Sequence, residues 1–199
     1  MHMAYEYRNL SSEERQEVLR QRCEAGYPLH APPHPFRNAG YYFITAANYE
    51  HVHIMGTPER RTEFEGRLSL AMQAIQVELV AWVILTNHYH FLVGVETLDQ
   101  VSVALRQLHG SISSEWNKAD SLSGQRRVWY KFRDCFIRND RHFYSALNYI
   151  HVNPIKHGYV KNPYDWPWMS LQNYYDTQGR DWLREIWEKY PPGNFGEDS

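Results

Sequence analysis

One stretch constrains the fold of this chain more than any other: LVAWVILTNHYHFLVGV, which runs from Leu79 to Val95. Two apolar runs, Leu79–Leu85 and Phe91–Val95, flank the polar pair Thr86-Asn87. Each run is short and rich in Val, Ile, Leu and aromatic residues, which is typical of a buried strand rather than a helix. The tight polar break between the runs predicts an antiparallel hairpin.

The second strand of this hairpin opens with His88-Tyr89-His90. Side chains alternate between the two faces of a strand, so His88 and His90 are expected on one face and Tyr89 on the other. Two imidazoles one strand step apart form a pair of metal ligands, although such a pair is also common as plain polar surface. A second triplet of this kind, His51–His53, falls in or beside a loop and lacks a stiff platform, so it is the weaker candidate.

Composition indicates an ordinary globular protein. The 199 residues are 43% hydrophobic and 22% charged, which fits one domain with appendages. No apolar run approaches twenty residues and no charged-then-apolar segment opens the chain, so we expect neither a membrane span nor a secretion signal. Cys23 and Cys135 are too few and too far apart for a disulfide framework or a metal knuckle, which is consistent with a reducing cytoplasm.

Charge is distributed unevenly along the chain. The window from Arg126 to Lys161 holds eight bases and two acids, a net of +6, whereas residues 162–199 carry a net of −4. A local basic field beside an acidic tail predicts a phosphate-bearing ligand at one place, and a solvated basic surface without a partner is the alternative. The candidate nucleic-acid-binding residues are Arg126, Arg127, Lys131, Arg133, Arg138 and Lys156.

Apolar periodicity and capping residues predict six elements in the central part of the chain. They are a strand Gly40–Ala46, a helix from Thr57 or Pro58 to about Gln76, strands Leu79–Leu85 and His88–Val95, a helix from Leu98 to about Trp116, and a strand Val128–Ile137. This order predicts an α+β, ferredoxin-like (split βαβ) fold, with one antiparallel sheet and two helices on one face. A third helix follows, Arg141–Asn153, which Asp140 should cap and Pro154 should stop. It is left with the open face or the edge of the sheet, toward which His88 and His90 would point.

The outer segments are predicted to be additions to this domain. Residues 1–38 are an N-terminal arm with a helix Ser11–Glu24 and a proline-rich stretch. The main domain would span 39–160, and 161–199 would form a C-terminal appendage with a helix Asp181–Lys189.

The third helix supplies the other half of a candidate site. Tyr149 and Asn153 are four residues apart and therefore share one helix face. The carbonyl oxygen of Asn153 is a hard ligand suited to Mg²⁺ or Mn²⁺, and two histidines with one asparagine leave positions open for phosphate oxygens. Tyr149 would then be placed as an in-line nucleophile. The alternative is that Tyr149 is a packed aromatic residue and Asn153 an ordinary residue at a helix end.

Four segments together resemble the REP-associated tyrosine transposases, a branch of the single-tyrosine, His-hydrophobic-His endonucleases. They are GYYFIT at 40–45, NHYH at 87–90, YIHVNPIKHG at 149–158 and WPWMS at 166–170. The resemblance covers roughly Gly40 to Leu171, and its most specific part is the Tyr-Ile-x-x-Asn-Pro-x-Lys-x-Gly block.

The resemblance implies roles for these residues. His88, His90 and Asn153 would bind a divalent metal, Mg²⁺ or Mn²⁺, and Tyr149 would attack DNA to give a 5′-phosphotyrosine link and a free 3′-hydroxyl. The partner would be single-stranded or hairpin DNA from repetitive extragenic palindromes with a short single-stranded tag. The expected enzyme is cytoplasmic and nucleoid-associated, needs no small-molecule cofactor or membrane, and is a monomer rather than a dimer.

This chain departs from the family pattern at two positions of interest. Tyr89 fills the hydrophobic slot between the histidines, which requires its ring to pack beneath the sheet, and Asn38-Ala39-Gly40 stands where a double glycine is usual. Two other functions fit the same residues. One is a non-catalytic module that binds structured nucleic acid, and the other is a metal hydrolase that uses water and for which Tyr149 is structural.

Overall fold

In the computed structural model, which describes residues 39–193 together with Ser11, Glu13 and Phe195, the regular elements begin with a strand at Gly40. The strands are β1 (Gly40–Ala47), β2 (Glu78–Ile84), β3 (His88–Val95) and β4 (Arg133–Phe136). The helices are α1 (Pro58–Ala74), α2 (Leu98–Ala119), α3 (Asp140–Lys156), α4 (Leu171–Gln178) and α5 (Arg180–Lys189). All belong to one unit, Asn38–Glu197. The helix predicted over Ser11–Glu24 lies, apart from Ser11 and Glu13, outside the described residues.

The four strands form one antiparallel sheet in the order β2-β3-β1-β4. β1 and β3 pair at its centre from Gly40 opposite Val95 to Ala47 opposite His88. One helix crosses from β1 to β2 and another from β3 to β4, which is the split βαβ arrangement. The predicted ferredoxin-like fold is confirmed, and so is the tight β2–β3 hairpin. The start of β3, which carries the histidine pair, lies beside the end of β1.

Helices α1 and α2 cover one face of the sheet. α1 begins at a proline after Thr57, whose side-chain oxygen accepts a hydrogen bond from the amide of Arg60. Its apolar stripe of Phe64, Leu68 and Met72 is buried against the strands. Tyr89 belongs to this core and is completely buried, so its ring packs beneath the sheet as the sequence required.

Helix α3 packs on the opposite face. Phe43 and Leu92 from the central strands meet Leu147 and Ile150 of the helix in a second apolar core. α4 and α5 extend this core, and the chain just before them adds a backbone bridge between Met169 and the edge strand β2. The third helix therefore lies on the open face, one of the two positions expected for it. None of the described helices is both long and apolar enough to span a bilayer.

The fourth strand is shorter than the predicted Val128–Ile137. Only Arg133–Phe136 pairs continuously with β1, while Trp129 forms a single bridge with Asn48 beyond the end of that strand. The apolar residues before Arg133 are instead buried in the core under α1 and α2, which an apolar run alone does not distinguish from strand pairing.

The limits of α3 also differ from the prediction. Asn139, not Asp140, is the N-cap, because its side-chain oxygen accepts from the amide of His142 at 2.9 Å. Pro154 does not stop the helix, which continues to Lys156. A proline in the final turn deletes only its own amide bond, and later amides still find helical carbonyls. At the other end of the chain, α5 begins one residue before the predicted Asp181, and α4 was not predicted.

Candidate active site

The two imidazoles of β3 project toward α3. The ring centroids of His88 and His90 are 5.0 Å apart, and the rings meet edge to face. His90 is 3% exposed, and its Nε2 atom is buried without a hydrogen-bond partner among the described residues. A buried ring nitrogen without a partner has lost its hydration uncompensated, which favours a bound ligand at that point.

Asn87 fixes the orientation of His88. Its Nδ2 donates to the carbonyl oxygen of His51 at 3.0 Å, so its Oδ1 is the atom that lies 2.7 Å from Nδ1 of His88. An amide oxygen only accepts, and Nδ1 of His88 must therefore carry the proton. The lone pair of the neutral ring is then on Nε2, which is the form of a metal-binding histidine with an oriented second nitrogen.

Thr45 has the same relation to His90. The two residues are opposite each other in the β1–β3 register, and Thr45 Oγ1 lies 2.8 Å from His90 Nδ1. A hydroxyl either donates or accepts. When it accepts from Nδ1, the free lone pair of His90 is on the buried Nε2 atom.

Both histidines are held neutral by their surroundings. Burial, reinforced by the nearby ring of His157, lowers the pKa of His88 from 6.5 to about 3, while the side chain of Asn153 opposes this shift. Burial, with His88 next in importance, also lowers the pKa of His90 well below its usual value. Neutral imidazole is the form that coordinates a cation, so no proton has to be displaced at neutral pH.

Asn153 completes the polar group from α3. It is fully buried, and neither Oδ1 nor Nδ2 meets hydrogen-bond geometry with a described residue. Its amide is nevertheless close enough to His88 to affect the pKa of that ring. No three His, Cys, Asp or Glu side chains in the described residues converge as a metal site. A cation here would therefore use two imidazoles and the amide oxygen, a donor set that these partnerless atoms fit.

Tyr149 adjoins the imidazoles from one turn earlier on α3. Its ring is 5.3 Å from that of His90, centroid to centroid and edge on, and its side chain is 5% exposed. The ammonium of Lys156 lies 4.9 Å from the Tyr149 ring centroid, within cation–π range. Phe195 contacts the same ring at 5.5 Å. The structure thus brings together the tyrosine, both histidines and the asparagine that the sequence singled out.

The six basic candidates differ in their surroundings. Arg126 is engaged within the protein, since Nη2 pairs with Asp120 at 2.8 Å and Nε donates to Asn117. Arg127 is exposed and lies over two tyrosine rings. The remaining four are exposed and make no ion pair with a described residue; they are Lys131, Arg133, Arg138 and Lys156.

Sequence reasoning missed the residues that orient the imidazoles. Asn87 directly precedes the histidine triplet, so adjacency alone was a usable signal. Thr45 is 45 positions away from His90, and only the strand register reveals the contact. The weaker triplet His51–His53 lies in a 3₁₀ turn and the loop after it, as expected. It nevertheless approaches the site through the His51 carbonyl.

Comparisons with known proteins agree with the resemblance seen in the sequence. The chain is 27% identical over 168 residues, which is 80% of this chain and 91% of the relative, to a Haemophilus influenzae protein named "Putative REP-associated tyrosine transposase". It is 30% identical over 99 residues to the REP-associated tyrosine transposase of Escherichia coli K12, covering 47% of this chain and 54% of that protein. No family model matches the chain.

A solved structure has the same fold. A REP-associated tyrosine transposase bound to a REP hairpin superimposes with a TM-score of 0.60 at 20% identity, covering 75% of this chain and 88% of the other. At this level of identity the match supports the architecture of sheet and helices.

Proposed function

The chain is a relative of the REP-associated tyrosine transposases, and from this premise we propose that it cuts and rejoins single DNA strands with Tyr149 as nucleophile. The proposed substrate is hairpin-forming DNA of repetitive palindromes, and the proposed cofactor is Mg²⁺ or Mn²⁺. One observation carries the proposal: the partnerless Nε2 of His90 and the partnerless amide of Asn153 are buried beside the Tyr149 ring.

His88, His90 and Asn153 are the proposed holders of the cation. When bound, it supplies Lewis acidity that polarises the scissile phosphate. The chain's own contribution is orientation. Asn87 accepts from Nδ1 of His88 and so leaves the lone pair of that ring on Nε2. Thr45 does the same for His90 when its hydroxyl accepts from Nδ1. Burial keeps both rings neutral over the physiological range because it lowers their pKa values.

Tyr149 supplies the nucleophile. Its phenol loses a proton to solvent, and the oxygen attacks phosphorus in line with the 3′-oxygen of the leaving strand. A tyrosine oxygen–phosphorus bond forms, the phosphorus–3′-oxygen bond breaks, and the leaving oxygen takes up a proton as a 3′-hydroxyl. The phosphodiester energy is retained in the 5′-phosphotyrosine, so attack by a 3′-hydroxyl can rejoin strands without another energy source.

The exposed bases are proposed to position the DNA. Lys131 precedes the edge strand β4 and Arg133 begins it. In the strand register Arg133 is opposite Thr45, the residue that holds His90. Arg138 follows β4, and Lys156 lies over the Tyr149 ring. Contacts of such groups with phosphates set the register of a nucleic acid and give salt-sensitive affinity.

A second candidate, a module that binds structured nucleic acid without cutting it, is favoured by one observation. Tyr149 is 5% exposed and in contact with Phe195, so a phosphate does not reach its hydroxyl without some rearrangement. This candidate keeps the basic residues and has no need of Tyr149.

A covalent-adduct gel with end-labelled hairpin oligonucleotides tests the proposal. In Mn²⁺ or Mg²⁺, wild-type protein should become labelled by a 3′-labelled oligonucleotide and not by a 5′-labelled one, because the phosphotyrosine retains the 3′ fragment. Tyr149→Phe and added EDTA should each abolish the adduct. The matched control is Tyr144→Phe on the same helix, which should retain it.

Each other result selects a different function. DNA binding by the wild type without any adduct supports the binding module. Strand cleavage that survives in Tyr149→Phe identifies a hydrolase that uses water. Labelling by the 5′-labelled oligonucleotide reverses the proposed polarity of the cut.

A further inference from the structure

Two loop segments meet just beyond the end of β1. The amide of Tyr49 donates to the carbonyl of Val128 at 2.8 Å, and the amide of Tyr130 donates to the carbonyl of Ala47 at 2.9 Å. These bonds bring Tyr49 and Tyr130 together although 81 positions separate them. The backbone pairing makes their relative position a property of the sheet rather than of a free loop.

The two tyrosines and His51 form a cluster of rings at the surface. The ring centroids of Tyr49 and Tyr130 are 4.9 Å apart, and those of His51 and Tyr130 are 5.8 Å apart. Both tyrosines are half-buried and His51 is exposed. Neither tyrosine is part of either apolar core, so their rings are not accounted for by core packing.

Arg127 lies over this cluster. Its guanidinium carbon is 4.8 Å from the Tyr49 ring centroid and 5.8 Å from that of Tyr130, and Nε donates to the Trp129 carbonyl at 3.0 Å. It forms no ion pair with a described residue, whereas its neighbour Arg126 is paired with Asp120. Arg127 is therefore a positioned cation whose charge the described part of the chain leaves unneutralised.

The cluster is connected to the candidate active site. The carbonyl of His51 holds the amide of Asn87, which in turn orients His88. Glu50 and His51 both have left-handed backbone conformations, with φ of 55° and 54°. Such conformations cost about 1 kcal/mol or more in non-glycine residues and persist where the surroundings enforce them, most often at functional sites.

We propose that Tyr49, His51, Arg127 and Tyr130 form a binding site for an unpaired nucleotide of the DNA strand. Aromatic rings stack bases of any sequence, and an arginine held beside them contacts the adjoining phosphate. The site would hold the DNA strand near His88, because a single residue, Asn87, links the His51 carbonyl to that ring. The choice of DNA as the ligand rests on the proposed function, whereas the single-stranded character follows from aromatic rings that lie at the surface, outside both apolar cores.

Binding of two unstructured probes separates base stacking from phosphate attraction. Fluorescence anisotropy in EDTA would compare labelled dT12 with an abasic dodecamer that carries the same number of phosphates. The wild type should bind dT12 about fivefold or more tightly than the abasic strand. Tyr130→Leu should remove this difference, Tyr130→Phe should keep it, and Tyr175→Leu, which removes an exposed tyrosine of α4, should leave it unchanged.

Arg127→Leu should weaken binding of both probes. Its matched control is Arg106→Leu on α2, which removes an exposed arginine that likewise makes no ion pair with a described residue and should have a smaller effect. Circular dichroism would check that each variant folds. Should Tyr130→Leu not fold, 2-aminopurine placed in the strand serves instead, because stacking on the rings quenches its fluorescence in the wild type and less so in Arg127→Leu.

Equal affinity of the wild type for the two probes overturns the inference. So does a preference for dT12 that persists in folded Tyr130→Leu. In the second assay, the inference is overturned if the wild type does not quench 2-aminopurine fluorescence. These assays contain no divalent cation and do not involve Tyr149. A failure here therefore leaves the adduct experiment standing, and a missing adduct leaves this binding site standing.

Discussion

Each face of the sheet places a histidine close to a buried tyrosine, and the two pairs are built differently. On the face of α1 and α2, the Tyr89 hydroxyl lies 2.7 Å from Nε2 of His109, whose ring stacks on Trp129. On the face of α3, His90 and Tyr149 meet only edge to face at 5.3 Å, and Nε2 of His90 has no hydrogen-bond partner among the described residues.

Under the proposed function, the first pair is structural and the second belongs to the active site. In the first pair, burial raises the pKa of Tyr89 and lowers that of His109, so a neutral hydroxyl and a neutral ring share the hydrogen bond. A satisfied buried hydrogen bond adds about 1 kcal/mol to stability, whereas an unsatisfied ring nitrogen costs about 1–3 kcal/mol. An unsatisfied buried nitrogen of this kind is expected where a bound ligand supplies the missing partner.

The largest effect expected from this contrast is on catalysis. His90→Ala should lower the rate of adduct formation about 100-fold or more, since a lost ligand removes several kcal/mol of transition-state stabilisation. His109→Ala should instead lower thermal stability and leave the rate of the folded protein unchanged. Single-turnover adduct rates, with thermal melts monitored by circular dichroism, measure both. A rate for His90→Ala within threefold of the wild type would contradict the division between the faces.

Acid sensitivity tests the structural pair alone. Burial lowers the pKa of His109 from 6.5 to about 4, so between these values the unfolded chain binds more protons than the folded one. This group's contribution is complete above pH 6.5 and is lost as the pH falls toward 4, by about 2–3 kcal/mol.

The check is urea unfolding of wild type and His109→Phe at pH 7 and pH 5. The variant should lose less free energy of unfolding between the two pH values than the wild type, because it lacks the imidazole that takes up a proton on unfolding. Other buried histidines contribute to both proteins and cancel in the comparison. An identical pH dependence in the two proteins would mean that His109 titrates in the fold as it does in the unfolded chain.

Much of the candidate site could be predicted from local periodicity. Alternation along a strand placed His88 and His90 on one face, and the four-residue helical spacing placed Tyr149 and Asn153 on another. What brought the two faces together was the element order, because two crossover helices occupy one side of the sheet and leave the other to α3.

The wrong predictions arose mostly where contacts between residues distant in the sequence decide the structure. Residues 128–132 look like strand, but β1 ends at Ala47 and offers no continuous partner. Val128 and Trp129 are therefore buried under the helices, while Lys131 is exposed. Pro154 looks like a helix stop but lies in the last turn, where its missing amide has little effect. The ion pair of Arg126 with Asp120 was likewise hidden from a count of charges.

The next largest expected effect comes from the orientation of His88, a proposed metal ligand. Asn87→Ala removes the acceptor for Nδ1 of His88 and should weaken Mn²⁺ binding about tenfold. The control Asn173→Ala, at an exposed position of α4, should retain the affinity. Isothermal titration of Mn²⁺ into Tyr149→Phe, in which no DNA chemistry interferes, measures this directly. Equal affinities of the alanine variant and its parent would show that another contact fixes the ring.

The smallest effect concerns two adjacent arginines that repeat the contrast at the surface. Arg126 is satisfied by Asp120 and Asn117, whereas Arg127 is exposed and has no carboxylate partner among the described residues. Arg127→Gln should weaken binding uniformly across hairpin sequences and reduce the slope of log affinity against log salt by about one. Arg126→Gln should lower the melting temperature and leave the slope unchanged, because its guanidinium is held by Asp120 and Asn117 within the protein. A salt slope that falls equally in both variants would show that the ion pair of Arg126 opens when DNA binds. An arginine whose charge is paired in the free protein could then not be classed as structural on that ground.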